Sequence, residues 1–164
     1  MKVRAYISGF LSSVLLGAIL LWLRSHFGGN PLVMVLAPMN ESPWEMSKLV
    51  FWPYLGGALV IWRGSAVGAR RGGHCVLLIL MPLFMVLLGW LCHIGGGYLW
   101  MIVLAAGIAL YALVLCKKVW GGELLWYTLA ILLGIAYILF SVLPPLGGPF
   151  TDPFDVSVMA TIPY

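Results

Sequence analysis

Residues 5–23 read AYISGFLSSVLLGAILLWL, nineteen positions without a charged side chain. A helix needs about 20 mainly apolar residues to cross the hydrocarbon core of a bilayer. Lys2 and Arg4 precede the stretch; Arg24, His26 and the turn Gly28-Gly29-Asn30-Pro31 follow it. It is too long for the apolar region of a secretory signal, and no small-residue cleavage pattern follows, so a retained first span is expected. Within it, Gly9, Ser13 and Gly17 recur every fourth residue and share one stripe. Small residues in a stripe let another helix backbone come close.

The pattern repeats along the chain. Apolar stretches over residues 43–62, 74–94, 98–116 and 124–143 are separated by short turns rich in Gly or basic residues. Pro53 and Pro82 fall inside two of them, where a kink is expected. The chain is 63% hydrophobic and 9% charged, with a mean hydropathy of +1.06, against about 25% charged residues in soluble domains. The composition predicts an all-α integral membrane bundle of about five transmembrane helices, forming a single domain over residues 1–164 with a tail at 144–164. Membrane lipids are then its first partners, and the cell membrane, multi-pass, its expected location. Residues 31–38, PLVMVLAP, are apolar but too short to span and carry Pro at each end. They read as an interfacial or re-entrant piece.

Charge placement gives a direction. With the N-terminus inside, seven of the nine basic residues (Lys2, Arg4, Arg63, Arg70, Arg71, Lys117, Lys118) fall on the inner side, and Arg24 and Lys48 on the outer. Cytoplasmic loops carry such an excess, so the N-terminus is expected inside and the tail outside. Trp22, Trp62, Trp90, Trp100, Trp120 and Trp126 lie near the span ends, as an interfacial aromatic belt would.

One polar cluster adjoins a span: Asn40-Glu41-Ser42-Pro43-Trp44-Glu45-Met46-Ser47-Lys48. Ser42, Pro43 and Glu45 match a capping box, with Ser at the N-cap, Pro at N1 and Glu at N3. Glu41 and Glu45 lie about a turn apart, and Lys48 is placed to pair with Glu45. Asn40, Glu41, Glu45 and Lys48, with Asp152 from the tail, are the candidate ligand or ion site at the outer surface. The competing reading is structural: Glu45 completes the cap, Glu41 favours the positive end of the helix dipole, and Lys48 snorkels to the interface. His26, His74 and His93 read as interface or packing residues, and Cys75, Cys92 and Cys116 as small apolar ones. No metal-ligand spacing, phosphate loop or nucleophile motif occurs, so no cofactor or metal is expected. The basic loop at 63–73 lacks interleaved aromatics and reads as a topology signal, not a nucleic-acid surface.

The run Asn40-Glu41-Ser42-Pro43-Trp44-Glu45-Met46, continuing to Phe51-Trp52-Pro53, resembles a family of small, uncharacterised bacterial multi-pass membrane proteins. That family's hallmark is N-E-S-x-W-E-H before an apolar helix opening with F-[FW]-P. Pro144-Pro145 and Phe150-Thr151-Asp152-Pro153 resemble its ending. The resemblance implies a membrane bundle in which these two regions meet. Met46 stands where the family has His. The acidic residue expected near Trp22-Leu23-Arg24 is absent, and no acidic residue lies in 98–116. The resemblance brings no activity with it.

Two function classes stay open. One is a non-enzymatic membrane protein: a small-solute or ion conduit, or a subunit that assembles with another membrane chain or with itself. The other is a small membrane enzyme using Glu41 and Glu45 as an outward-facing acid/base or cation-binding pair. The interiors of 74–94, 98–116 and 124–143 contain no ionisable centre of the kind that proton-coupled transport requires, which favours the assembly branch of the first class.

Overall fold

The computed structural model describes residues 2–64, 71–92, 98–115, 122–143, 145 and 148–150. Every regular element among them is helical: α1 (Lys2–Phe27), α2 (Pro31–Leu36), α3 (Pro43–Gly64), α4 (Arg71–Cys92), α5 (Leu99–Leu113) and α6 (Glu123–Val142), followed by a 3-10 turn at Gly148–Phe150. Among the described residues, α1, α4 and α6 hold stretches long and apolar enough to cross a membrane.

The 31–38 piece folds as one short helix. Asn30 caps it by accepting the Leu32 N–H at 2.9 Å, and Pro31 occupies its first turn, where no N–H is needed. α3 begins the same way, the Glu45 N–H donating to Ser42 Oγ at 3.3 Å. The regular helix of α5 covers 15 residues, fewer than the 98–116 stretch suggests. α3 runs through Pro53 and α4 through Pro82 without ending.

α3 is the centre. It packs against α1, α4 and α5, while α6 packs mainly on α4 and α2. Leu49, Val50 and Tyr54 of α3 are fully buried. α3 is not among the helices that qualify as spans by hydropathy, and its position explains why. A helix surrounded by other helices has no lipid to satisfy, so it can carry Pro, Gly and charge. The outer helices show the reverse. Leu11, Leu15 and Ile19 of α1 and Ile131, Leu132 and Leu139 of α6 are exposed, as lipid-facing side chains would be.

The Gly9-Ser13-Gly17 stripe faces inward. A Cβ on Gly9 would strike Ile61 of α3, and one on Gly57 would strike Ser13. A Cβ on Gly17 would lie 2.5 Å from the Trp100 ring of α5. Trp100 is thus buried, not part of an aromatic belt. Gly107 of α5 admits Met81 of α4 in the same manner.

These contacts also set directions. Gly9 meets Ile61, and Gly56 meets Leu16; Tyr54 meets His74, and Gly89 meets Pro43; Ser47 meets Tyr137, and Phe51 meets Gly134. α3 therefore runs antiparallel to α1, α4 and α6. Pairs such as His74–Tyr111 and Met81–Gly107 set α5 antiparallel to α4.

Candidate functional site

At the Pro43 end of α3, Lys48 is fully buried and Glu45 nearly so. The Lys48 ammonium lies 2.7 Å from each carboxylate oxygen of Glu45. It also donates to Ser141 Oγ of α6 at 2.7 Å and to the Met34 carbonyl of α2 at 3.0 Å. The last carbonyls of a helix lack intrahelical partners, so Lys48 caps α2 while holding α6. An ammonium has three donors, and three groups take them. The Glu45 Oε2 atom accepts the Met39 N–H at 2.9 Å as well. Glu45 therefore reaches back to Met39, and the Ser42 N–H donates instead to Asn40 Oδ1 at 3.0 Å. The capping box is half made.

A second chain of hydrogen bonds joins the first. Ser141 Oγ donates to the Tyr137 carbonyl at 2.6 Å. Ser47 Oγ donates to the Trp44 carbonyl at 2.6 Å, so the Tyr137 hydroxyl, also 2.6 Å from Ser47 Oγ, is the donor there. Trp44 packs against Tyr137, Phe140 and Phe150, with ring centroids 4.8, 5.4 and 5.1 Å apart. The turn at Gly148–Phe150 thus returns to the mouth of α3.

The structure divides the candidate residues. Glu45 and Lys48 come together inside the bundle, and Lys48 does not snorkel outward. Asn40 and Glu41 are exposed, so Glu41 and Glu45 occupy different environments despite lying a turn apart in sequence. Asp152 lies outside the described residues, as do His93 and Cys116.

At the opposite end lies a group that periodicity does not single out. His74 of α4 is only 7% exposed, so it packs inside the bundle and does not face outward. Its Nδ1 lies 2.8 Å from the Tyr54 hydroxyl of α3. The Tyr111 ring of α5 stacks on it at a centroid distance of 3.7 Å, and Tyr6 of α1 meets Tyr111 edge-on at 6.1 Å. Three helices, α3, α4 and α5, meet at this imidazole, and α1 adjoins them through Tyr111. Gly73 permits the approach, because a Cβ there would stand 3.1 Å from Tyr111. The sequence clue was Gly72-Gly73-His74 at the start of a span; the partners, 20 and 37 positions away in Tyr54 and Tyr111, are joined only by the fold.

Beside His74 a cavity of about 620 Å³ opens between α3, α4 and α6. Its walls are apolar and aromatic, with Trp52, Trp62 and Tyr127 among them, and Glu123 stands at one end. His74 Nε2 and Trp52 Nε1 are buried and have no hydrogen-bond partner among the described residues. No group of three or more His, Cys, Asp or Glu that could hold a metal ion occurs among the described residues. No family model, curated protein or solved structure matches this chain, so its own geometry is what a functional reading rests on.

Proposed function

We propose that the chain is a non-enzymatic, multi-pass protein of the cell membrane that serves as a subunit of a membrane complex. It crosses the bilayer five times with Lys2 and Arg4 inside and the tail outside. The carrying observation is the closed state of the Glu45–Lys48 cluster. Every ammonium donor is used within the bundle, both Glu45 oxygens are engaged, and Glu41 stands exposed. An acid/base pair needs two groups that can both reach a substrate, and a conduit needs polar groups able to exchange partners. A buried pair that satisfies itself is a latch. The alternating helix directions and the excess of basic residues on one side support the five-span arrangement.

Glu41→Gln separates this reading from the enzyme reading. A subunit whose polar cluster is a latch keeps its growth phenotype and thermal stability with Gln at position 41. Loss of the phenotype with the fold intact would restore the enzyme. Native mass spectrometry of protein extracted in lipid nanodiscs should find a complex heavier than one chain. A monomer at every concentration would count against the subunit.

A further inference from the structure

The buried donors beside the cavity have a chemistry that selects a ligand. Indole nitrogen only donates, so Trp52 Nε1–H requires an acceptor. The role of His74 follows from its neighbour. If Nδ1 carried the proton and gave it to Tyr54, both the phenolic hydrogen and the Nε2 lone pair would lack partners. If Tyr54 donates to Nδ1, Nε2–H alone remains. Burying an unmade hydrogen bond is costly, so the second arrangement wins and Nε2 is a donor. Tyr54 occupies one edge of the imidazole and Tyr111 one face; His74 is among the residues that line the cavity, with Nε2 buried in its wall. Two buried donors thus stand in the wall of a space whose lining is otherwise mainly apolar, with Glu123 and Tyr127 also in it. Its volume, about 620 Å³, lies within the roughly 300–1,000 Å³ typical of small-molecule sites. Leu59, Trp62 and Ile131 are both lining and exposed residues, so the space is reachable from the apolar exterior of the bundle.

We propose that this cavity binds a membrane-soluble molecule with carbonyl oxygens on an apolar body, the oxygens accepting hydrogen bonds from His74 Nε2–H and Trp52 Nε1–H. An alcohol or amine headgroup would bring donors that find no acceptor from these two side chains. Two sources share the carbonyl chemistry: a lipid quinone and the ester of an acyl lipid. The aromatic walls suit either a flat ring or a chain, and binding studies separate them. The site uses other residues than the Glu45–Lys48 latch, running from Phe51 and Trp52 in the middle of α3 to Trp62 near its end.

The test uses the full chain in nanodiscs made from diether lipids, which lack ester carbonyls. A 1,4-naphthoquinone bearing one prenyl unit and the methyl ester of a long-chain fatty acid are titrated separately, with tryptophan quenching and thermal shift as readouts. Prenyl-naphthalene and a long-chain alkyl methyl ether are the carbonyl-free controls. Saturable binding of one carbonyl probe, at least about tenfold tighter than its control, is expected and names the source. His74→Phe and Trp52→Phe should each weaken it about tenfold, and Ala130→Phe, which fills the cavity, should abolish it. Should His74→Phe not fold, Trp52→Phe and Ala130→Phe carry the test. Equal binding by probe and control, binding unchanged in Trp52→Phe and Ala130→Phe, or no saturable binding of either probe (a cavity holding water only) would overturn the proposal. Such a failure would leave the subunit reading standing, since that reading rests on Glu41, Glu45 and Lys48.

Discussion

Glu45 and Lys48 stand one turn apart on α3, and the ammonium lies 2.7 Å from both carboxylate oxygens in the interior of the bundle. Pairs at this spacing on exposed helices contribute only a few tenths of a kcal/mol. Burial changes the stakes, because a charge left alone there has no water to turn to.

Removing one partner should therefore cost far more than removing both. Lys48→Met is expected to destabilise the fold by about 3–5 kcal/mol, and the double change Glu45→Leu with Lys48→Met to recover much of that loss. Thermal unfolding in detergent measures it. Equal losses for the single and double variants would show that the pair is not a closed unit.

The cap of α3 is separable from the latch. Ser42→Ala should cost about 0.5–2 kcal/mol, because the Glu45 N–H loses its acceptor while the Lys48 contacts remain. A loss as large as that of Lys48→Met would mean the cap also holds the latch in place.

α6 is tied to α3 by few groups. Ala130 and Tyr137 are its buried residues, and Tyr137 reaches Ser47. Tyr137→Phe should cost about 1–3 kcal/mol by leaving a buried hydroxyl contact unmade, and should raise amide exchange selectively in α6. Uniform exchange across all helices would argue against this local tether.

The α1–α3 contact tolerates no added bulk. Gly9→Leu and Gly57→Leu should each lower stability by about 1–3 kcal/mol or more, since a Cβ at either place meets Ile61 or Ser13. Leu11→Ile, on the exposed face of α1, is the matched control and should change little.

Topology has its own check. With Cys75, Cys92 and Cys116 changed to Ala, a single cysteine at Ser157 should react with an impermeant reagent added outside intact cells, and one at Ser65 should not. The reverse labelling would invert the orientation.

The helical course of the chain was legible because lipid exposure imposes uniform apolarity over span lengths, and α1, α4 and α6 carry that mark. The Gly9-Ser13-Gly17 stripe was legible because its period is that of a helix turn. The nearness of Glu45 and Lys48 was legible for the same reason. Their depth was not, since hydropathy reads a charged residue near a helix start as interfacial. Trp100 and His74 went astray likewise: a residue near a span end looks interfacial until Gly17 or Tyr111 is seen packed on it.

From the sequence alone came the all-helical build, the membrane-length apolar stretches, the small-residue stripe and the local pairing on α3, each a matter of spacing within one helix. Tertiary structure alone decided that α3 is the central helix, that Lys48 joins α2 to α6, that Glu41 stays outside while Glu45 goes in, and that His74 and Trp52 border one cavity. These depend on which faces meet between segments tens of residues apart, and in so uniformly apolar a chain the pattern along one helix does not say which neighbour covers it.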